Sequence, residues 1–331
     1  MKGDSLSEPC IATWGGNDGD RSRSLGTLGR RPGRGHGLYG SLSALRHLTE
    51  KISAVVTVAD DGGSSGRLRK EFGVLPPGDL RMALSALCDD SEWGQTWRDV
   101  LQHRFRSDGP LNGHALGNLL IVSLWEQLGG SVPALEWVGQ LLEIKGRVLP
   151  MSSTPLEIEA EVTTDAVTET VRGQVAVALT TGHVDKVRLI PNDPPAQPEA
   201  LEAIGSADYV IFGPGSWFTS IIPHLLVPDL HRALCDTPAK RVLSLNLLSE
   251  KETQGLSVAD HIRSFHDHAP DLRLDVLVAD PAAIDDRAEV EEAAQECGAH
   301  LLIRTVRMND GTARHDPLRL AAAYRDAFEE A

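Results

Sequence analysis

Residues 52–66 read Ile52-Ser53-Ala54-Val55-Val56-Thr57-Val58-Ala59-Asp60-Asp61-Gly62-Gly63-Ser64-Ser65-Gly66, and they decide the fold class. The first eight are apolar or β-branched apart from Ser53, the pattern of a strand buried on both faces. Two adjacent carboxylates close that run and five small residues follow, a loop by composition. Open α/β sheets put their ligand crevice beyond such strand ends. Asp60 and Asp61 can each take a ribose hydroxyl, or hold Mg²⁺ through carboxylate oxygens. Gly62, Gly63, Ser64, Ser65 and Gly66 can form a nest of amides and hydroxyls for an anion, with Arg67 and Arg69 close by as charge partners. The alternative is a turn whose carboxylates only cap the next helix.

Working outward, apolar runs of strand length alternate with helical patterns, as in a parallel sheet covered by helices. Leu38, Leu42, Leu45 and Leu48 share one helical stripe, and helices are expected at 79–87, 93–105 and 116–128. Residues 147–190 change character: period-two alternation in 156–164 and 171–180 predicts β-hairpins added to the core. After the Pro-rich stretch 191–198, strands are expected at 209–212, 241–247 and 274–279. Helices are expected from 220 and at 258–266, 288–297 and 317–328. The fold class is α/β: a Rossmann-like, mostly parallel sheet with helices on both faces and a β-hairpin insertion.

Two further loops sit where ligands bind in such sheets. Gly35, His36 and Gly37 lie in a Gly-rich turn that lets backbone amides approach a pyrophosphate, although no strand is visible directly before it. Gly213 and Gly215 open the backbone between a strand and a helix. Ser216, Thr219 and Ser220 there offer hydroxyls to a phosphate, or simply cap a tight turn. Asn246 near a strand end, and His114 with Asn118 at a helix opening, are candidates to line the same crevice; for each alone, capping is the simpler role. No Ser-His-Asp order, no Cys-His nucleophile motif and no P-loop lysine is present, so the pattern argues for phosphate and sugar binding over covalent chemistry.

Composition narrows the function classes. A chain of 331 residues can bury a core without disulfides or metals. Cys10, Cys88, Cys235 and Cys297 lie far apart and read as reduced thiols. A formal charge of −15 disfavours nucleic acid and anionic membranes, and the basic run at 21–34 reads as a solvated arm. No apolar segment has signal-peptide or membrane-spanning length, so a cytoplasmic protein without membrane insertion is expected.

At these residues the chain resembles the gluconeogenesis-factor (YvcK) family of the CofD-like superfamily. The resemblance runs from about residue 35 to the C-terminus. It rests on Gly35-His36-Gly37-Leu38, the Asp60-Asp61 stretch through Arg69, Pro76-Pro77-Gly78-Asp79-Leu80-Arg81 and Leu116-Gly117-Asn118. Gly213-Pro214-Gly215-Ser216 with Thr219-Ser220, Asn246-Leu247 and Arg314-His315-Asp316-Pro317 complete it. The Gly-Gly-Ser-Ser-Gly run after the paired aspartates is the gluconeogenesis-factor pattern, not that of the deazaflavin phospholactate transferases. The resemblance implies a nucleotide-binding protein for UDP-sugars such as UDP-N-acetylglucosamine. It implies a non-enzymatic role in cell-wall synthesis and cell shape on gluconeogenic carbon sources, with Arg314 as a ligand contact. The alternative is a Mg²⁺-dependent phospholactate-type transferase. The oligomeric state stays open, a homo-oligomer included. One departure stands out. Residues 25–34 read LGTLGRRPGR where the family has an apolar strand running into its glycine loop. Residues 1–33 are therefore expected to be a disordered segment without the regular first strand, and 34–331 to form the CofD-like domain.

Overall fold

The structure, a computed structural model, describes residues 10–14 and 36–330. Among these, ten strands form two sheets: β1 (Cys10–Trp14), β2 (Ile52–Val56), β3 (Arg147–Pro150), β4 (Glu157–Thr164), β5 (Val167–Arg172), β6 (His183–Ile190), β7 (Tyr209–Phe212), β8 (Lys240–Ser244), β9 (Val276–Ala279) and β10 (His300–Ile303). The larger sheet has the order β10-β9-β8-β7-β1-β2-β3, with every neighbouring pair parallel. Successive strands spread to one side of β1 as far as β3, and the chain then returns to β1's other edge with β7 and spreads the opposite way. The reversal between β1 and β7 is the topological switch point of a doubly wound fold, and ligands bind outside the strand ends there.

The central position belongs to the segment expected to lack it. Cys10–Trp14 pairs with β2 along its whole length and with β7 from Cys10 to Thr13. The expectation that residues 1–33 contain no regular first strand is thus corrected. Cys-Ile-Ala-Thr-Trp has no unbroken run of four apolar residues, yet Ile11 and Thr13 are β-branched and Trp14 is aromatic, which suits a pleated strand. Gly35 and residues 25–34 lie outside the described residues, as does the disorder expected for the rest of 1–33.

The first helices are α1 (His36–Leu45), α2 (Gly63–Phe72), α3 (Pro77–Leu87), α4 (Glu92–Gln102), α5 (Leu116–Leu128), α6 (Ser131–Leu141) and α7 (Gln174–Leu179). Right-handed crossovers put helices on opposite faces before and after the switch point. α1 packs on α3 and on the C-terminal helix Pro317–Glu330, where Ser41 Oγ and Tyr324 OH are 2.6 Å apart. Helices Val258–His268 and Arg287–Glu296 pack together beyond the switch. β9, with all four residues buried, shows the continuous apolar run that a doubly covered strand needs.

The insertion is a three-stranded antiparallel sheet, β5-β4-β6. β4 buries Ile158, Ala160 and Val162 and turns Glu157, Glu159 and Glu161 outward, the alternation expected of a one-sided sheet. Two boundaries differ from the expectation. Residues 147–150 are the edge strand of the main sheet. Most of 171–180 is the helix α7, entered through Gly173 at φ 100°. The run Gln-Val-Ala-Val-Ala-Leu alternates like a strand, but Asp61, from a distant part of the chain, caps it as a helix. The 60–66 loop is also shorter than expected, because α2 already starts at Gly63. No helix among the described residues is long and apolar enough to cross a membrane.

Candidate ligand crevice

β2 runs directly into the crevice wall. Thr57, Val58, Ala59 and Asp60 continue it as buried residues. Asp60, 1% exposed, accepts from Gly62 N–H through Oδ1 at 2.9 Å, which shapes the turn into α2. α3 crosses so closely that a Cβ on Gly78 would lie 2.8 Å from Asp60 Oδ2 and 2.3 Å from Ser65 Oγ. Asp60 is therefore a buried carboxylate held between two helix starts. Asp61 is exposed and faces elsewhere: its Oδ1 accepts from Val175 N–H at 3.1 Å, across the start of α7. A Cβ on Gly173 would meet its other oxygen at 2.3 Å. Arg69 lies within reach of both carboxylates and Glu157. Burial pulls its guanidinium below the usual value, and those three acids offset this in part.

The residues read as an anion nest divide. Gly62 precedes α2, and Gly63, Ser64, Ser65 and Gly66 form its first turn. Ser64 and Ser65 are buried. Ser64 Oγ accepts from Asn118 Nδ2 at 3.0 Å and from Ala115 N–H at 3.3 Å, so its own proton goes to His114 Nδ1, 3.0 Å away. His114 is thereby the neutral tautomer with Nε2–H, consistent with burial and neighbouring Arg67 and Arg104 lowering its pKa. Asn118 Oδ1 accepts in turn from buried Arg81 at 2.7 Å. This network bolts α2, α3 and α5 behind the Asp60 turn, and Asn118 serves there as a brace.

On the other side of the switch point, Gly213 has φ 69°, and a Cβ there would lie 2.8 Å from Ser244 O. The Asn246 side chain clamps the loop at both ends of one residue, accepting from Gly215 N–H at 3.0 Å and donating to Gly215 O at 2.8 Å. Ser216 Oγ donates to Glu250 at 2.9 Å. Thr219 and Ser220 lie fully buried in a π-helical turn, Trp217–Ile221. The start of that turn already receives a buried carboxyl group that sequence reasoning missed. Phe218 N–H donates to Glu252 Oε1 at 3.1 Å, and burial beside Glu250 pushes the Glu252 carboxyl up to about 8. A glutamate in the polar stretch Ser249-Glu250-Lys251-Glu252 carries no sign of burial in sequence.

His36 and Gly37 open α1, the helix that follows β1. His315, buried against Gly40 of α1, has its pKa pushed down to about 4 by that burial. Arg314 stands beside it, 30% exposed, on the turn where it pairs with Asp310 at 2.8 Å. The Asp60, Gly213 and Asn246 segments thus follow the C-terminal ends of β2, β7 and β8, strands of one parallel sheet, and Arg314 stands on the turn beside His315. Ser64 and Asn118 brace the helices behind the Asp60 turn, and Asp61 faces the insertion.

Among the described residues, several buried polar atoms have no hydrogen-bond partner: Thr57 Oγ1 after β2, Ser244 Oγ at the end of β8, Ser220 Oγ after β7, and Gln174 Oε1 of α7. Gln174 joins the group through Nε2, 3.4 Å from Thr219 O. Buried polar groups are nearly always satisfied, so such exceptions mark places for water or a ligand. Among the described residues, His231, Cys235 and Asp271 bring metal-ligating atoms within 4.8 Å of one another, away from the crevice.

Comparison with known proteins agrees with this fold. The family profile of CofD, 2-phospho-L-lactate transferase, matches residues 33–309. A protein of Mycobacterium tuberculosis strain H37Rv is 50% identical over 299 residues, 88% of this chain and 87% of its own. The gluconeogenesis factor of Bacillus subtilis strain 168 is 32% identical over 323 residues, 92% of this chain and 100% of its own. A crystal structure of a UPF0052 family member from Bacillus halodurans superposes with a TM-score of 0.80 at 29% identity, covering 96% of this chain and 98% of that one. With its sheet order, its crevice loops and this degree of identity, the chain belongs to the gluconeogenesis-factor family of the CofD-like superfamily.

Proposed function

We propose that this protein binds a UDP-sugar, UDP-N-acetylglucosamine being the leading case, in the crevice at the C-terminal ends of β1, β2, β7 and β8. The reading makes it a metabolite-binding regulator in the cytoplasm that couples sugar-nucleotide supply to cell-wall synthesis and cell shape on gluconeogenic carbon sources. What carries it is that buried hydroxyl and amide oxygens of Thr57, Gln174, Ser220 and Ser244 find no partner among the described residues, with Thr57, Ser220 and Ser244 following or ending β2, β7 and β8 on the side where such sheets bind ligands. In this reading Asp60 takes a ribose hydroxyl, or a Mg²⁺ ion that accompanies the diphosphate. The Gly213 and Gly215 backbone, with the start of α1, borders the phosphates, and Arg314 exchanges Asp310 for ligand charge.

Calorimetric titration with UDP-N-acetylglucosamine, UDP-glucose and GDP, with and without Mg²⁺, tests this. UDP-sugars bind more tightly than GDP if it is right. Asp60→Ala then weakens binding by about 1 to 3 kcal/mol, the range for a charged hydrogen bond, and the protein stays folded. Unchanged affinity in a folded Asp60→Ala variant removes Asp60 from the site. A second reading, a phospholactate-type transferase, is favoured by the profile match over residues 33–309. GDP binding without UDP-sugar binding, or turnover of a deazaflavin acceptor, would put it first.

A further inference from the structure

The helix Pro228–Asp236 leads into β8 and carries His231 and Cys235 one turn apart on the same face. Asp271 reaches them from the turn between the helix Val258–His268 and β9. A carboxylate only accepts, so His231 Nε2–H donates to Asp271 Oδ1 at 2.8 Å, and Cys235 Sγ lies 3.7 Å from the same nitrogen. Two ligands at the bond lengths of tetrahedral zinc stand about 3.3 to 3.6 Å apart. The imidazole and the thiol are thus already spaced for one ion. Asp271 is 67% exposed and free to draw back the fraction of an ångström that coordination asks of it. Burial and Asp271 raise the Cys235 pKa, so the sulfur keeps its proton until a metal displaces it. Arg241 also acts on that thiol, but its guanidinium is committed to the carbonyl oxygens of Leu234, Cys235 and Thr237.

We infer that His231, Cys235 and Asp271 bind a thiophilic divalent ion, zinc above all, at the end of the sheet opposite the crevice. Thiol and imidazole ligands select zinc over magnesium and calcium, which take oxygen. Binding breaks the Nε2–H···Oδ1 bond, moves the ring proton to Nδ1 and releases the thiol proton to solvent. The two positive charges of the ion then meet one thiolate and one carboxylate, a neutral set. Three protein ligands leave the fourth position to water. Nδ1 is buried without a partner among the described residues, and so lacks the outer hydrogen bond that strengthens a metal-bound imidazole. The affinity is therefore that of a micromolar site and not of a closed zinc cage. The helix ends just before β8 and the turn lies just before β9, so the ion fastens two segments at the N-terminal ends of neighbouring strands. Nothing in this site depends on the nucleotide reading.

Cobalt(II) tests the assignment, since a thiolate ligand gives it a near-ultraviolet charge-transfer band and a tetrahedral set gives it strong visible bands. The full chain, stripped with chelator, should take up a single equivalent of Co²⁺ with both signals and lose them to Zn²⁺. Cys235→Ser should abolish the charge-transfer band. His231→Gln and Asp271→Asn should keep it but lower the affinity at least about tenfold. Asp60→Ala should leave the spectrum unchanged, which separates this site from any ion in the crevice. No charge-transfer band in the wild type with excess Co²⁺, or an undiminished band in Cys235→Ser, overturns the inference. Should Cys235→Ser fail to fold, alkylation of the wild type decides. Zn²⁺ should slow labelling of Cys235 at least about tenfold, read by peptide mass, and equal labelling with and without Zn²⁺ overturns the site.

Discussion

Gly78 shows how tightly the crevice is built. It sits in the first turn of α3, where alanine would normally favour a helix by about 1 kcal/mol over glycine. Here the added Cβ would meet Ser65 Oγ at 2.3 Å and Asp60 Oδ2 at 2.8 Å, and both side chains are buried. Overpacking of this kind costs about 1 to 3 kcal/mol and outweighs the propensity gain. Gly78→Ala should therefore lower stability by up to roughly 2 kcal/mol in urea unfolding. It should also weaken ligand binding by pushing Asp60 aside; a more stable variant would show that the turn can relax. Asp280 is another residue with a role set by its neighbours. Its carboxylate accepts from Ala282, Val306 and Arg307 N–H groups, tying the end of β9 to the segment after β10. Three backbone donors on one buried carboxylate leave it a structural fastener.

Among the elements, β1 carries the heaviest demand relative to its length. Five residues fill the centre of the sheet, and Ala12 stands between Ala54 and Ile211. Proline at Ala12 would remove a ladder donor in a central strand, where proline is essentially not found, and leave a buried acceptor unsatisfied at about 1 to 3 kcal/mol. That is a sizeable share of the roughly 5 to 15 kcal/mol that domains possess. Ala12→Pro should thus sharply lower the urea midpoint or leave the protein insoluble. Normal stability in that variant would mean that β1 is not the central strand. α7 illustrates the reverse dependence, since only six residues form the helix and its capping acceptor, Asp61, comes from the β2 turn. A short helix is marginal alone, and its docking links the insertion to the crevice.

For the molecule as a whole, three buried groups set opposing pH limbs. His224 lies fully buried, with its ring nitrogens 2.8 Å from Ser220 O and 3.1 Å from Val55 O, and burial pushes its pKa down to about 4. His315 is likewise pushed to about 4. Unfolded, both titrate near 6.5, so their contribution is present above that pH and is lost as pH falls toward 4. Glu252 behaves oppositely. Its carboxyl rises from 4.5 unfolded to about 8 folded, so the native state holds the extra proton and stability falls as pH rises through that window. Between 4.5 and 6.5 the two histidines outnumber the one glutamate, and above 6.5 the glutamate acts alone. From these groups stability should peak near pH 6.5 and decline on both sides. Glu252→Gln should flatten the alkaline side and steepen the rise between pH 4.5 and 6.5, as followed by thermal unfolding across pH. An unchanged alkaline limb would show that Glu252 is ionised in the fold.

The α/β class, the parallel strands after residue 200 and the crevice loops were legible in sequence because each rests on a local rule. Doubly buried strands read as apolar runs, and turn residues punctuate them at the strand ends. The central strand escaped because its five residues mix Cys, Ala and Thr with Ile and Trp, and stand well before the glycine turn they were expected to adjoin. α7 escaped because its pattern suits a strand, and the cap that makes it a helix lies more than a hundred residues away. Burial of Glu252 and the bracing by Asn118 and Asn246 have no local signature. They arise from juxtapositions of segments distant in sequence, where desolvation and hydrogen-bond satisfaction depend on which groups meet. Spacing along the chain therefore located the loops, and packing decided which of their polar side chains, such as Ser64 and Asn246, are held by other parts of the scaffold.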